Sequence, residues 1–261
     1  MNRNKMTILA VGATGSIGRH VVEQALRDGH EVRALVRDAR KASFPAAVRL
    51  MLGDLTNPGS LAAAVEGVDG IVFTHGSSGW LRGNAEAVDY GAVRNVLEAL
   101  AGREARIALM TTIGVTDRKG AHDWKRRGER LIRASGLPYT IVRPGWFDYN
   151  DAGQERLSLL QGDRRQTGTP ADGAVSRHQL AQVLVRSLSS DEALGKTFEL
   201  VTEHGPAQED LDPVFATARA DQPLALDGIE DAANMPLGAE PEQIKADYAR
   251  FAKKMEASPA R

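Results

Sequence analysis

Residues 12–18 read GATGSIG, and this stretch decides the fold class. Its three glycines stand between a short apolar run (6–11) and a stretch with helical periodicity (17–28). Glycines permit a tight turn and a close approach of phosphate, and the following helix N-terminus offers unpaired N–H groups and partial positive charge. The pattern predicts a dinucleotide-binding turn, with a tight turn that holds no ligand as the alternative. The residues of this turn are Gly12, Ala13, Thr14, Gly15, Ser16 and Ile17.

Around this turn, β-rich runs alternate with helical stretches. The predicted strands are 6–11, 31–36, 48–52, 69–74, 106–111, 139–144 and 196–201. Helices are predicted at 17–28, after Asn57-Pro58, and at 84–101, 121–135, 176–188 and 241–256. The alternation predicts an α/β fold, a Rossmann-like doubly wound parallel sheet, with the ligand crevice beyond the carboxyl ends of the strands.

The regular alternation ends after Pro144. Residues 146–174 are rich in glycine and polar residues, and 205–240 are rich in Asp, Ala and Pro without a clear period. We interpret 1–261 as a single NAD(P)-binding domain in which 146–174 and 205–261 form substrate-side loops and a C-terminal extension. From these two segments we predict a small C-terminal region that covers the substrate.

Composition and charge argue against several classes of protein. The net charge is −1, so no global field draws the chain to nucleic acid or to an anionic membrane, and no apolar run approaches the roughly 18 residues of a membrane span. The apolar run near the N-terminus is too short for a secretory signal, and the lack of cysteine favours a reducing cytoplasm. The histidines lack HExxH spacing and GSSGW (76–80) is not a GxSxG elbow, so we expect no metal site and no hydrolase site.

The end of the second predicted strand indicates which nicotinamide cofactor binds. NAD-specific sites usually place a carboxylate there, which binds the ribose hydroxyls. Here Arg37 follows the strand, Arg40 and Lys41 lie just beyond, and a guanidinium there suits the 2′-phosphate of NADP. We therefore expect NADP; if Asp38 faced the ribose instead, NAD would be preferred.

The helix predicted at 121–135 carries several basic residues. At about 100° per residue, Trp124, Leu131 and Ile132 share one stripe, and the arginines group on the other side. We interpret those arginines as a solvated face, not as a nucleic-acid surface. They are Arg126, Arg127, Arg130 and Arg133. Lys125 lies between the two sides, and spacing alone favours a boundary lysine that reaches past apolar surface.

Taken together, six segments resemble the atypical short-chain dehydrogenase/reductase family. The similarity is greatest to its NAD(P)H-binding, NmrA-like branch, which includes biliverdin-reductase-B-like proteins, and it covers residues 6–202. The segments are GATGSIG (12–18), LVRD (35–38), GDLTNP (53–58), FTHGSSG (73–79), VDYGAVRNVLEA (88–99) and SGLPYTIVRPG (135–145). Together they are much more specific than any one of them.

The resemblance also implies where the cofactor lies. Gly53, Asp54 and Leu55 would border the adenine. Further along, the segment after the fourth strand would pass the cofactor, and the segment before the substrate loop would follow it. The residues implied there are Thr74, His75, Gly76, Pro144, Gly145, Trp146 and Phe147.

Reductases of the family commonly use a Ser-Tyr-Lys arrangement, which the chain matches only in part. The resemblance implies that Lys125 is the lysine, which would bind the nicotinamide ribose, and that the serine site falls at Thr111 or Thr112. The tyrosine position, four residues before the lysine, is occupied by Ala121. Alanine has no proton to donate, so the usual carbonyl reduction and a tyrosine-dependent epimerase mechanism are both disfavoured.

Other side chains are candidates for the same site. Aromatic residues in loops at the rim of the crevice can stack on a flat substrate. They are Trp80, Trp146 and Phe147. Candidate replacements for the tyrosine are His122 and Tyr149, and His75 is a further candidate site residue. Histidine titrates near neutral pH, but helical spacing turns residue 122 about 100° away from position 121.

We therefore expect an NADPH-dependent reductase that transfers hydride to a small acceptor. Without the tyrosine, acceptors that take a proton from water are favoured, namely a quinone, a flavin or a conjugated carbonyl. The alternative is a non-enzymatic redox sensor of the NmrA-like type that binds NADP(H). We expect a small-molecule substrate, no nucleic-acid or membrane partner, and a cytoplasmic monomer or homodimer.

Overall fold

The computed structural model of the chain describes residues 5–77 and 84–256, with side chains as far as residue 252. The strands are β1 (Thr7–Val11), β2 (Glu31–Val36), β3 (Val48–Leu52), β4 (Gly70–Phe73), β5 (Arg106–Met110), β6 (Tyr139–Pro144), β7 (Trp146–Phe147), β8 (Arg156–Leu160), β9 (Ala174–Val175) and β10 (Lys196–Glu203). The α-helices are α1 (Ser16–Arg27), α2 (Ala62–Val65), α3 (Gly91–Leu100), α4 (Ala121–Ala134), α5 (Arg177–Ser187), α6 (Asp212–Phe215) and α7 (Glu242–Glu256).

Eight strands form one sheet in the order β3-β2-β1-β4-β5-β6-β10-β8. Neighbouring strands run parallel except for β8, which is antiparallel to β10. The chain winds outward in one direction from β1 and in the other from β4, which opens a crevice at the carboxyl ends of these two strands. Val11 lies beside Phe73 in the register, so the residues after both strands meet at this crevice. The predicted Rossmann-like doubly wound sheet is confirmed.

Two hydrophobic clusters hold the helices on the two faces of the sheet. Ile8 and Ala10 of β1 share a cluster with apolar residues of α1 and α5. Leu9 and Val11, the alternate residues, share the other cluster with α3, α4 and α7. This follows from the period of two along a strand, which turns successive side chains to opposite faces.

Residues 146–174, predicted as loops, contain three short strands. β7 pairs with β9 in parallel, and β8 pairs with β10 at the edge of the main sheet. Strands of two residues have no recognisable period, and β8 exists because β10 supplies its hydrogen-bonding partner from far along the chain. The prediction of irregular structure was therefore wrong for these residues.

The outer side of α4 is buried, so the prediction of a solvated arginine face was wrong. The side chains of Arg126 and Arg130 are 0% and 2% exposed. Both donate to Asp227, from Nε atoms at 3.0 and 2.8 Å. Two further ion pairs are Arg127–Glu240 at 2.6 Å and Arg133–Asp221 at 3.2 Å. The C-terminal segment after β10 covers the helix and supplies the carboxylates that permit this burial.

This C-terminal segment also binds α4 through backbone carbonyls. Arg130 Nη2 donates to the carbonyl oxygen of Met235 at 2.6 Å, and Arg133 Nη1 to that of Leu226 at 3.0 Å. Residues 205–240 thus fix the helix, and a substrate-side role for residues 146–174 stays a prediction.

Candidate functional site

The predicted glycine turn joins β1 to α1. Gly12 has a φ of +84°, and a Cβ there would lie 2.7 Å from the backbone N of His75. A Cβ on Gly18 would overlap the carbonyl oxygen of Gly12, so both positions require glycine. Gly15 is the N-cap of α1, with no side-chain cap and no acidic residue in the first turn. The first N–H groups of α1 are therefore free for an anion, which fits the pyrophosphate of NAD(P).

In the loop after β2, one of the three nearby cations is paired with the carboxylate. The Asp38 carboxylate accepts hydrogen bonds from the backbone N, Nε and Nη2 of Arg40, each at 3.0 Å. Arg37 is exposed and makes no hydrogen bond to any part of the chain that the structure describes, although its charge acts on the carboxylate of Asp54. Lys41 is exposed at the end of the same turn. The carboxylate that an NAD-specific site would use is therefore engaged by Arg40, whereas Arg37 and Lys41 are exposed.

The Gly-Asp segment lies against the same strand end. The backbone N of Gly53 donates to the carbonyl oxygen of Val36 at 3.1 Å. The Asp54 carboxylate accepts from the backbone N and hydroxyl of Thr56, at 2.9 and 2.8 Å, and so forms a local turn. The carbonyl oxygen of Leu55 accepts from an amide side chain of α3 at 2.7 Å. The three residues therefore lie at the rim where the adenine is expected, and their contact with it stays a prediction.

The residues after β4 lie directly behind the glycine turn. The hydroxyl of Thr74 donates to the carbonyl oxygen of Val11 at 3.0 Å. The ring of His75 contacts the edge of Phe73, with centroids 5.6 Å apart, and its Nδ1 atom is buried with no hydrogen-bond partner among the described residues. Burial, aided by the positive charge of Lys125, lowers the pKa of His75 to about 4. His75 is thus a neutral imidazole at the back of the predicted cofactor site.

Lys125 reaches this same strand end. Its Nζ donates to Oδ1 of Asp89 at 2.6 Å, and the two side chains are 16% and 1% exposed. The backbone N of Ser77 donates to Asp89 at 3.1 Å, and the Ser77 hydroxyl donates to the other carboxylate oxygen. A Cβ on Gly76 would lie 3.1 Å from Nζ. Lys125 therefore points into the predicted site and is not a boundary lysine on the helix surface.

Thr111, one of the two residues at which the serine site was expected, has its hydroxyl engaged within the core. Its hydroxyl donates to Oε1 of buried Glu129 at 2.7 Å. Glu129 also accepts from Nε and Nη2 of Arg143, at 3.0 and 2.7 Å. Burial works against the carboxylate of Glu129, but the charge and hydrogen bonds of Arg143 outweigh it and lower its pKa. Thr111 thus ties β5 to α4.

Thr112 faces a cavity of about 360 Å³ at the carboxyl ends of β5 and β6. Other lining residues include His122, Pro144, Gly145, Trp146 and Phe147. The rings of Trp146 and Tyr149 meet edge to face at 5.8 Å, and the guanidinium of Arg177 lies 5.3 Å from the ring centre of Phe147. The cavity, which we call the aromatic pocket, therefore contains the predicted residues 144–147 along one wall. Ala121, at the start of α4, brings no polar group near it.

A larger cavity, of about 770 Å³, lies between residues 150–155 and α5. It contains none of the predicted site residues. Two amide side chains that line it are engaged in hydrogen bonds to the backbone. Gln154 donates to the carbonyl oxygen of Thr202, and Gln179 donates to the carbonyl oxygen of Glu155. We therefore assign the site to the smaller aromatic pocket.

Two carboxylates of the site were missed by the sequence analysis. Asp89 lies in the π-helical turn Glu86–Tyr90 that precedes α3, and a charged residue four positions before the apolar Val93 was the available signal. Asp117 binds His122, and no sequence pattern indicated this contact, because it depends on the conformation of a loop.

Trp80, a predicted stacking residue, lies outside the described residues. Within 5–77 and 84–256, no helix is both long and apolar enough to cross a bilayer.

Comparisons with known proteins agree with this geometry. A family model for NAD(P)H-binding proteins matches residues 12–191. An uncharacterized sugar epimerase of Bacillus subtilis is 28% identical over 228 residues, which is 79% of this chain and 99% of the relative. Sanguinarine reductase of Eschscholzia californica is 26% identical over 263 residues, with 81% and 96% covered. The crystal structure of an oxidoreductase from Lactococcus lactis superposes with a TM-score of 0.67, at 17% identity, covering 83% of this chain and all of that one.

The family match spans more than half of the chain and starts at the glycine turn. The superposed structure shows the same fold over most of the length. The chain therefore belongs to the NAD(P)H-binding family.

Proposed function

We propose that the protein is an NADPH-dependent reductase whose acceptor is a small conjugated molecule: a quinone, a flavin or a conjugated carbonyl. The observation that carries this proposal is the aromatic pocket, which opens at the ends of β5 and β6. These strand ends adjoin the end of β4, to which Lys125 reaches. A flat acceptor against Trp146 and Phe147 would lie close to a nicotinamide at the strand ends.

Bound NADPH supplies the hydride for this reaction. The residues of the chain bind and orient its parts: the glycine turn binds the pyrophosphate through N–H groups, and Lys125 binds the nicotinamide ribose. Since Asp89 fixes Lys125 at 2.6 Å, the lysine is held in one orientation before the cofactor arrives. Such preorganisation favours hydride transfer through positioning.

Two observations support NADPH over NADH. Asp38 is engaged by Arg40, which removes the carboxylate that would accept from ribose hydroxyls. Arg37 and Lys41 remain available for a 2′-phosphate, and a guanidinium matches phosphate geometry well.

The test is turnover of NADPH by the purified protein with a panel of quinones, flavins and enones, followed at the nicotinamide absorbance. We expect oxidation of NADPH to exceed that of NADH, and Lys125→Met to raise the Kd for NADPH. No turnover with any acceptor would refute the reductase assignment.

A second candidate function is a redox sensor that binds NADP(H) without turnover. The observation that favours it is Ala121, which leaves the start of α4 without the usual acid. Tight binding of NADPH with no oxidation, together with co-purification of a protein partner, would support the sensor.

A further inference from the structure

We propose that His122, oriented by Asp117, is the proton donor of this site and takes over the task of the missing tyrosine. The inference rests on the proposed reductase function and adds a catalytic residue to it. His122 was a weak candidate from helical spacing, because that spacing turns it away from position 121.

The Nδ1 atom of His122 fixes the tautomer of its ring. It lies 2.9 Å from Oδ1 of Asp117 and 3.0 Å from the carbonyl oxygen of Gly114. Both partners are acceptors, so Nδ1 carries a hydrogen. A carboxylate and a carbonyl at this distance also stabilise the positive charge of a protonated ring. Asp117 is therefore a positioning residue.

The Nε2 atom of His122 is available to a substrate. It makes no hydrogen bond within the described chain and is not among the buried unpartnered atoms, so it is open to solvent. His122 lines the aromatic pocket, and its side chain is 30% exposed. His122 also lies three residues before Lys125, which places both on one side of α4.

Among the described residues that line the pocket, the other titratable side chains are two carboxylates, which carry no proton near neutral pH. They are Asp117 and Asp172. Tyr149, the other candidate for the place of the tyrosine, contacts Trp146 but is not itself a lining residue. Burial works against each carboxylate, yet hydrogen bonds outweigh it and lower both pKa values. For Asp117 the donors are Lys119 and His122, and for Asp172 they include the backbone N–H groups of residues 167 and 168, each at 2.8 Å.

Each of the other charged groups near His122 has an opposite charge beside it. Asp117 is the direct partner of His122 and is itself paired to Lys119 at 2.9 Å. On α4, Asp123 pairs with an arginine at 2.9 Å, and Lys125 pairs with Asp89. Each of the two nearby lysines is thus paired with a carboxylate.

The chemistry balances with one proton from His122. Hydride from NADPH brings two electrons to the electrophilic atom of the acceptor, and the π pair of the carbonyl moves to its oxygen. The Nε2–H bond breaks and its proton goes to that oxygen. The ring is left neutral with Nδ1–H still bonded to Asp117, and it regains a proton from water.

The test compares two acceptors in the full-length protein. Hydride reduction of 9,10-phenanthrenequinone needs a proton at oxygen, whereas N-methylacridinium takes hydride at carbon and needs none. His122→Asn keeps an N–H donor toward Asp117 but has no proton to give. We expect it to lower kcat for the quinone by about 100-fold, as general acid catalysis implies, and to leave the acridinium rate within about threefold.

The matched control is His204→Asn, which changes an exposed histidine that does not line the pocket and should leave both rates unchanged. Quinone reduction by the wild type should fall more steeply with rising pH than acridinium reduction, because only the quinone takes up a proton. In the resting protein, ¹⁵N NMR of the ring should show the Nδ1–H tautomer, and Asp117→Asn should give a mixture of tautomers.

The outcomes separate the two proposals. If the wild type turns over both acceptors and His122→Asn lowers kcat equally for both, or for neither, the proton-donor role is overturned. The reductase assignment is then left intact. No turnover of either acceptor by the wild type overturns the reductase and the proton donor together. A single Nε2–H tautomer would also overturn the role of Asp117.

Discussion

The pair formed by Lys125 and Asp89 should be one of the strongest single contacts of the site. A double-mutant cycle with Asp89→Asn and Lys125→Met isolates its coupling energy, because asparagine keeps the shape of the acid and methionine keeps most of the lysine stem. Nζ and Oδ1 are 2.6 Å apart, and unit charges at that distance attract by about 6 kcal/mol at an effective dielectric constant of about 20.

Desolvation offsets part of this attraction. Asp89 is 1% exposed, so it has lost nearly all contact with water, whereas Lys125 keeps 16% exposure. Breaking a fully buried ion pair lowers the free energy of unfolding by about 3–5 kcal/mol. The residual exposure of Lys125 makes the loss smaller for the Lys125–Asp89 pair. We expect a coupling energy of about 2–3 kcal/mol in the free energy of unfolding.

The assay is equilibrium denaturation of the wild type, both single variants and the double variant. Lys5 and Glu31 are the matched control, since their atoms are 2.8 Å apart and both side chains are 63% exposed. Exposed pairs contribute about 0–1 kcal/mol, so the control cycle should give less than about 0.5 kcal/mol. A Lys125–Asp89 coupling no larger than the control would refute the claim that the lysine is held in a buried pair.

Three further predictions concern the cofactor, the core and pH. Arg37→Ala should raise the Kd for NADPH by about 10- to 100-fold and barely change the Kd for NADH. Arg49→Ala, which changes another exposed arginine, is the control. Equal losses of affinity for both cofactors would contradict the 2′-phosphate assignment. Glu129→Gln should lower the free energy of unfolding by about 3 kcal/mol, against less than about 0.5 kcal/mol for Glu203→Gln in an exposed pair, as measured by denaturation. Burial raises the pKa of Glu199 to about 8, so the folded state keeps a proton that the unfolded chain releases above its ordinary value of 4.5. The wild type should therefore lose stability between about pH 5 and 8, and Glu199→Gln should reduce that slope; identical slopes in denaturation series would count against a protonated Glu199.

Features set by neighbouring residues were predictable from the sequence. The glycine turn and the bounds of β2, β3 and β6 follow from local period and turn chemistry, and the structure has them at the predicted residues. Residues 144–147, which the resemblance implied for the cofactor site, line the aromatic pocket at the end of β6, and their contact with the cofactor stays a prediction.

Features set by remote partners were not predictable. The arginines of α4 have the spacing of a solvated face, and nothing within the helix reveals the carboxylates that cover them. Thr111 has the position of a site residue, but Glu129 takes its hydroxyl. The sequence analysis disfavoured His122 because helical spacing turns it away from position 121. That angle leaves out the carbonyl oxygen of Gly114 and the carboxylate of Asp117, which bind the ring where it lines the pocket.

The ion pairs between α4 and the C-terminal segment affect the order in which parts of the protein fold during synthesis. Arg127 finds its partner 113 residues later, and Arg133 finds Asp221 88 residues later. On the ribosome, the helix that carries His122 and Lys125 is made long before its counterions, and such long-range contacts delay folding.

Until residue 240 has emerged, this helix exposes guanidinium groups where most core helices would expose apolar surface. Like charges on unfinished chains repel one another and suppress association. The arginines that form the buried ion pairs of the finished protein therefore keep this side of the helix charged until the last segment has been made.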